Sequence, residues 1–309
     1  MPDLPIPCLV GPTACGKSEV ALACARATQG EVISCDAFAA YRGLRLLSAA
    51  PDAPADVPHH LVGFLPPAGR WSAADFMAEA DRLVAQVLAR GHQPWIVGGT
   101  ALYLRCWLKG MGPSAARDEA LRARLAAEYA RAGPAALHAR LAALDPARAA
   151  QLHPHDERRI VRALEIIAGT GQPASAARAQ WDAPDRVRAR VVGLRRTQED
   201  LDQRIEARTA QMLAQGVLAE ARAFLACDPS PEASKALGLD LLREVLDGTR
   251  PLAGVHPELA RLTRRFARRQ MTFFRGFDAI EWLDIAAGED ATATAARVLD
   301  LLARPSLSP

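Results

Sequence analysis

The sequence predicts an α/β fold, a parallel sheet flanked by helices, with an all-helical insertion. Three observations carry that expectation. Short apolar runs at Ile6–Val10, Val32–Ser34, Trp95–Val97, Val191–Leu194 and Ile280–Leu283 have the length and continuous hydrophobicity of strands buried on both faces. Stretches with helical periodicity separate these runs, the alternation that builds βαβ units. The first run leads directly into "GPTACGKS", a loop of defined chemistry.

That loop comprises Gly11, Pro12, Thr13, Ala14, Cys15, Gly16, Lys17 and Ser18, and meets the spacing G-x-x-x-x-G-K-[ST]. A strand precedes it, and the Ala-rich run from Glu19 to Ala27 reads as the helix that must follow. This is the signature of a P-loop NTPase-like sheet. Its glycines allow successive N–H groups to turn toward phosphate oxygens, and the helix N-terminus adds partial positive charge. Lys17 is placed to reach terminal phosphates and the Ser18 hydroxyl to ligand Mg²⁺.

The second strand, Val32–Ser34, runs into Asp36. Ser72 is the expected N-cap of a helix through Arg90, because Phe76, Leu83, Val84, Val87 and Leu88 recur at helical spacing. The third strand, Trp95–Val97, ends in Gly98, Gly99 and Thr100. A long interruption precedes the fourth strand. From Asp118 to Ala179 it reads as successive helices broken at Gly133-Pro134, Asp145-Pro146 and Gly169–Pro173, with no strand. The chain therefore divides into a P-loop-type core with C-terminal helices (1–111 and 182–309) and a helical insertion domain (112–181). A Thr197/Asp200 capping box opens a helix to Gln215, and further helices run through Phe277. Pro305–Pro309 are expected to fray. There is no internal repeat.

Composition narrows the class further. The chain is 50% hydrophobic, largely through alanine, and its net charge is only +3. Lys17, Lys109 and Lys235 are the only lysines, so basic character rests on arginine. The six cysteines form no C-x-x-C pair and lie in apolar surroundings, which favours reduced thiols in a cytoplasm over disulfides or a zinc site. The chain enters its first strand almost at once and no apolar run approaches ~18 residues, against secretion and membrane spanning.

Motor-type ATPases carry an acid at the end of a second apolar strand, but neither "PWIVGGT" nor "VVGLR" has one. Asp36 is the acid at a strand end, where a parallel sheet opens its ligand crevice. It suits the base that takes a proton from an incoming nucleophile. A helix cap or a partner of a Mg²⁺-bound water fits the spacing equally well. The residues so far indicate group transfer from a phosphorylated substrate, with the acceptor unnamed. The acceptor hint is "RLTRRFARRQMTFFR", with six arginines in fifteen residues and no acid. Arg261, Arg264, Arg265, Arg268 and Arg275 recur at helical steps as one basic face, with Phe266, Phe273 and Phe274 able to pack inward. Such a stripe suits a phosphate backbone better than a solvated face. A second cluster, Arg158, Arg159 and Arg162 in "DERRIVRALE", lies in the insertion, and two such patches suit a large polyanion.

Together, "GPTACGKS", "SCDAFAAYRGL", "VPHHLVGF", "WSAADF", "PWIVGGTALYL", "RRIVRALEIIAGTG", "RIEARTAQMLAQGVLAEA", "SKALGLD" and "RRQMTFFR" give the chain, from Pro7 to Trp282, a resemblance to the tRNA dimethylallyltransferase (tRNA isopentenyltransferase) family. The resemblance implies that the loop cradles the diphosphate of dimethylallyl diphosphate rather than ATP. The acceptor is then N6 of the adenine 3′ of the anticodon, unstacked from its loop. Mg²⁺, Lys17 and arginines stabilise the leaving diphosphate. It further implies that Asp36 takes the amine proton, that Thr100 and Arg122 matter for catalysis, and that Arg208 holds the diphosphate, with Arg204 as an open alternative. Segments matching tRNA contacts are Asp36, Ala37, Phe38 and Ala39; Arg158, Arg159, Ile160, Val161 and Arg162; Ala236, Leu237, Gly238, Leu239, Asp240 and Leu241; and Arg268, Arg269, Gln270, Met271, Thr272, Phe273, Phe274 and Arg275. A cytoplasmic monomer with tRNA and dimethylallyl diphosphate as partners is expected.

The chain departs from the family pattern at several places. Ala37 and Ala39 stand for the serine and glutamine of D-S-x-Q, Ser48 and Ala50 for a threonine and a lysine, Leu239 for a tyrosine, and Phe273 for the tryptophan of RQ-x-T-W. His59-His60 are read as structural, Trp71, Trp95, Trp107 and Trp181 as core, and Glu165 and Glu206 as ion-pair partners of nearby arginines. Prenyl transfer to free AMP or ATP, a P-loop small-molecule kinase, and a tRNA-binding relative with weakened chemistry are the competing functions.

Overall fold

The structure is a computed structural model that describes residues 5–51, 54–112, 118–176, 181 and 184–304. Six strands, β1 (Ile6–Val10), β2 (Gly30–Ser34), β3 (His59–His60), β4 (Gln93–Gly98), β5 (Ala189–Arg195) and β6 (Ile280–Asp284), form one sheet in the order β3-β2-β4-β1-β5-β6. Every pairing is parallel. All five expected runs are strands. The addition is β3, whose two residues pair with Val32 and Ile33 and are too short to give an apolar pattern.

The helices in chain order are α1 (Lys17–Ala27), α2 (Arg45–Ser48), α3 (Ala73–Ala89), α4 (Ala101–Lys109), α5 (Glu119–Ala132), α6 (Pro134–Leu144), α7 (Pro146–Ala149) and α8 (Glu157–Thr170). After β5 come α9 (Gln198–Ala214), α10 (Val217–Leu225), α11 (Leu239–Leu246), α12 (Val255–Phe274) and α13 (Ala291–Ala303). Pro305–Pro309 lie outside the described residues, as do parts of the interval from 177 to 183.

Cα packing divides the chain into two compact units, Met1–Leu104 with Val187–Pro309, and Arg105–Arg186. In the first, β1 is central, and Cys8 is paired with Ile96 on one side and Val191 on the other. Leu9, Val97, Val192 and Leu194 pack with Val20, Ala21, Cys24 and Ala25 of α1 in one core. The strand order sets the C-terminal ends of β2, β4 and β1 side by side. The loop after β1, Asp36 after β2 and Gly99-Thr100 after β4 therefore open on the same edge.

Helix starts follow the expected local chemistry. Ser72 and Asp75 form a reciprocal capping box at α3. At α9 only half of the expected box forms. Thr197 accepts the Asp200 N–H, but the Asp200 carboxylate is taken by Arg196 at 2.7 Å instead of returning to Thr197.

In the second unit, Leu125, Leu137, Leu141, Ile160 and Leu164 form a core of their own. Asp118, Asp145 and Asp156 cap α5, α7 and α8, and Gly133-Pro134 separates α5 from α6. The two chain passages bounding this unit are tied together: the Arg186 N–H donates to Leu108 O at 2.6 Å, and Lys109 pairs with Asp185 at 2.8 Å.

Candidate active site

The phosphate loop is shaped by cations that take its carbonyls. Lys17 Nζ donates to Pro12 O at 2.6 Å, Arg204 Nε to Ala14 O at 2.8 Å and Arg196 Nε to Cys15 O at 2.9 Å. Because a peptide unit points its C=O and N–H in opposite directions, these bonds orient the amides as well. The Thr13 N–H donates to Gln270 Oε1 at 2.8 Å and the Cys15 N–H to Pro12 O at 3.3 Å. Gly16 has φ 97°, left-handed backbone suited to glycine, and no side chain caps α1 after it. The amides of Lys17 and Ser18, at the start of α1, are thus offered to an anion together with the helix dipole.

A cavity of about 690 Å³ in the first unit brings most of the expected donor-side residues together. Its walls include Thr13, Lys17 and Ser18 from the loop, Asp36 to Ala39 after β2, Gly98 to Thr100 after β4, and Arg204 and Arg208 from α9. Leu47, Met212 and Leu259 supply apolar surface, and Phe266, Arg269, Gln270 and Phe273 of α12 complete it. Ala37, Ala39 and Ala50 line it too, so the wall is apolar at those three positions.

Asp36 serves its own turn and keeps capacity to spare. Its Oδ1 accepts the N–H groups of Phe38 at 2.9 Å and Ala39 at 3.2 Å. Its Oδ2 accepts no hydrogen bond from a described residue. The Thr100 hydroxyl accepts the Ala37 N–H at 3.1 Å, and the Thr100 N–H donates to Cys35 O at 3.1 Å. Burial pushes the Arg208 guanidinium down to about 10, with Arg204 adding to the fall, while the Asp36 carboxylate and the Cys15 thiol oppose it. It stays cationic at neutral pH. Arg208 makes no hydrogen bond to a described residue, whereas Arg204 is committed to the loop and lies 3.8 Å from Glu19. That difference bears on the choice between the two arginines.

The remaining predicted residues sit on several elements. Arg122 is on α5 of the helical unit, where it and Arg162 share the buried Glu165 at 2.6 and 2.9 Å. Burial works against the Glu165 charge, but the bonds from Arg162 and Arg122 outweigh it and hold the carboxyl below its ordinary range. Arg158 and Arg159 are exposed, whereas Ile160 and Val161 are buried in that unit's core and offer no side chain to a surface. Leu239 and Leu241 are likewise core, Asp240 pairs with Arg243 at 3.0 Å, Gly238 precedes α11, and Ala236 and Leu237 face the cavity.

The arginine-rich run, which covers residues 261–275 on α12 and its C-cap, forms a less basic surface than expected. It contains no acid, but Arg261 is paired with Glu258 one turn earlier, and Arg264 with Asp202 and Glu206 of α9. Arg265, Arg268 and Arg275 are exposed and make no ion pair with a described residue, and Arg269 lies 5.8 Å from the Phe266 ring centre. The inward packing expected of three phenylalanines holds for Phe274 alone. Phe273 is 36% exposed and Phe266 half-buried, because both border the cavity. Met271 is half-buried and Thr272 exposed.

His60 lies 2.6 Å from Glu31 while His59 faces the cavity, as alternation along β3 requires. Trp71, Trp95 and Trp107 are buried, and Trp181 is half-buried with Arg105 over its ring. One contributor, Arg196, was missed in the sequence, and Gln270 was read only as part of a segment matching tRNA contacts. Arg196 directly follows β5 beside the loop strand, a position that could have suggested it. Gln270 falls on the buried side of α12 among Leu259, Ala260, Ala267 and Phe274, where a polar side chain requires partners.

Residues 39–277 match the family model described as IPP transferase. The tRNA dimethylallyltransferase of Geobacter sulfurreducens is 40% identical over 292 residues, covering 93% of this chain and 94% of that protein. That of Anaeromyxobacter sp. is 43% identical over 297 residues, covering 94% and 97%. The crystal structure of a tRNA isopentenylpyrophosphate transferase from Bacillus halodurans superposes with a TM-score of 0.69 at 32% identity, covering 96% of each chain.

Proposed function

The chain belongs to the IPP transferase family, and on that premise we infer that it is a tRNA-modifying prenyltransferase. It transfers the dimethylallyl group of dimethylallyl diphosphate to N6 of the adenine 3′ of the anticodon, releasing diphosphate. One observation carries the reading at the level of residues. A single cavity holds both the uncapped, cation-braced start of α1 and the Asp36 carboxylate. Its volume of about 690 Å³ falls within the range of ligand sites and has room for more than a mononucleotide's phosphates.

In this reading the diphosphate lies on the amides at the start of α1, beside Lys17 and Arg208. The N6 amine attacks the allylic C1, the C1–O bond breaks with its electron pair leaving on diphosphate, and the amine proton passes to Asp36. Lys17, Arg208 and the helix dipole act where negative charge develops. Asp36 can hold its turn through Oδ1 and accept the proton on Oδ2. Mg²⁺ fits this set. It takes few protein ligands together with substrate phosphates, and the Ser18 hydroxyl is a side-chain oxygen at the start of α1. Among the described residues no group of three or more His, Cys, Asp or Glu forms a metal cage. Once bound, Mg²⁺ supplies charge neutralisation on the leaving group.

The helical unit, with exposed Arg158 and Arg159, and the exposed arginines of α12 are the surfaces we assign to tRNA. No helix among the described residues is long and apolar enough to cross a membrane. A cytoplasmic location belongs to the same reading and agrees with cysteines that form no disulfide among the described residues.

The test incubates the protein with Mg²⁺, labelled dimethylallyl diphosphate and an unmodified tRNA bearing adenine 3′ of its anticodon, with AMP and ATP as rival acceptors. Label in tRNA with wild type, and not with Asp36→Asn, is the expected result. Label in AMP or ATP moves the activity to the free nucleotide. Tight tRNA binding without label leaves a binding protein and overturns the transferase.

A further inference from the structure

Two polar residues, Thr263 and Gln270, interrupt the buried side of α12. Thr263 is satisfied within its own helix, donating to Leu259 O at 2.8 Å. Gln270 spends its amide on two other parts of the chain. Its Oε1 accepts the Thr13 N–H at 2.8 Å, and its Nε2 donates to Gly99 O at 2.9 Å. A donor on one side and an acceptor on the other fix which end of the amide is oxygen.

The two backbone groups belong to turns that follow β1 and β4, neighbours in the sheet. One turn is the phosphate loop. The other carries Thr100, whose hydroxyl holds the residue after Asp36. The fit is close: a Cβ on Gly99 would stand 2.3 Å from Gln270 Nε2, so residue 99 must lack a side chain for the bridge to form. Gln270 is 6% exposed, and its loss would leave two backbone groups without their partner. The bridge also withdraws the Thr13 N–H from ligands and leaves the amides at the start of α1 to serve them.

We propose that Gln270 is a positioning residue for the prenyl donor. It sets the phosphate loop against the Gly99-Thr100 turn, and so fixes the diphosphate relative to the Asp36 turn. This rests on the transferase reading above. Gln270 acts through the backbone of Thr13 and Gly99 rather than by binding tRNA.

The test compares wild type, Gln270→Glu and Gln270→Met in tRNA prenylation between pH 5.5 and 8.5, with tRNA affinity measured separately. Gln270→Glu keeps the size and the acceptor for Thr13 but turns the donor toward Gly99 O into a second acceptor. At pH 8 its KM for dimethylallyl diphosphate should rise roughly tenfold while tRNA affinity stays unchanged. The defect, taken as a ratio to wild type at each pH, should shrink as pH falls and the carboxyl regains a proton to donate. Gln270→Met supplies neither bond and should be impaired at every pH.

Unchanged donor KM in both variants, or a loss confined to tRNA affinity, overturns the proposal. Should the variants fail to fold, hydrogen exchange in wild type decides it: a protected Thr13 amide is expected, and a rapidly exchanging one overturns it. Wild type that transfers no label to tRNA defeats the transferase reading itself, a result distinct from any of these.

Discussion

The Thr100 hydroxyl accepts the Ala37 N–H at 3.1 Å, so the end of β4 holds the turn that begins at Asp36. A hydroxyl in this place orients the carboxylate's neighbour without touching the carboxylate. Thr100→Val keeps the shape and removes the acceptor, leaving the Ala37 N–H unpaired. Its kcat should fall roughly 10- to 100-fold, with tRNA affinity unaltered. Thr100→Ser restores the oxygen and should stay close to wild type. Single-turnover prenylation at saturating donor measures both, and equal rates for Val and Ser remove Thr100 from the mechanism.

Arg204 and Arg208 lie four residues apart on α9, but their bonding separates their roles. Arg204 braces the loop through Ala14 O, while Arg208 keeps its guanidinium unbonded to described residues and under the influence of Asp36. Charge-assisted bonds to a diphosphate are about twice as strong as neutral ones. Arg208→Met should therefore lower kcat/KM for dimethylallyl diphosphate on the order of 100-fold, and Arg204→Met about tenfold. The reverse ranking would assign the diphosphate to Arg204.

Much of the fold was legible because the deciding signals are local. Five strands announced themselves as apolar runs, the phosphate loop by its spacing, and α3 by Ser72 ahead of apolar residues at helical spacing. The unread parts depend on partners distant in sequence. Nothing near Arg264 discloses Asp202 and Glu206, which reach it from α9, so an acid-free run looked more basic than the folded surface is. Asp200 looked like the second half of a capping box, but Arg196 one turn earlier competes for it. The site was partly readable: the loop, Asp36 and Thr100 meet at one sheet edge, as strand ends must. Gln270 was visible only as a member of an arginine-rich stretch, since its two partners lie in turns more than a hundred and fifty residues away.

The sorting of α12's arginines into paired and unpaired sets leads to a salt-dependence test of the tRNA surface. Each phosphate contact adds about one to the slope of log K against log salt. Arg268→Ala and Arg275→Ala should each weaken tRNA binding and reduce that slope by roughly one. Arg261→Ala should leave the slope unchanged, because Glu258 already holds its guanidinium at 2.6 and 2.8 Å. Binding isotherms at several salt concentrations measure this. Slopes equal to that of wild type in all three variants would mean that the exposed face of α12 does not meet the phosphate backbone.

Glu31, far from the cavity's chemistry, makes a prediction about acid stability. It is 1% exposed on β2, and its carboxylate accepts bonds from Arg90 at 2.6 Å, with His60 at 2.6 Å and His92 at 2.7 Å. Burial alone would push its carboxyl up, but the bonds from Arg90, His60 and His92 outweigh that and pull it down to about 2, from 4.5 when unperturbed. The unfolded chain therefore takes up the proton first. Ionised Glu31 contributes stability that is complete above about pH 4.5 and is lost as pH falls toward 2, on the order of 3 kcal/mol in all. Glu31→Gln cannot titrate, so it should be less stable than wild type at neutral pH, with the gap closing through that window. Thermal unfolding of both proteins from pH 7 down to pH 3 tests the assignment. A gap that stays constant with pH would show that Glu31 contributes by packing and hydrogen bonding but not by its charge.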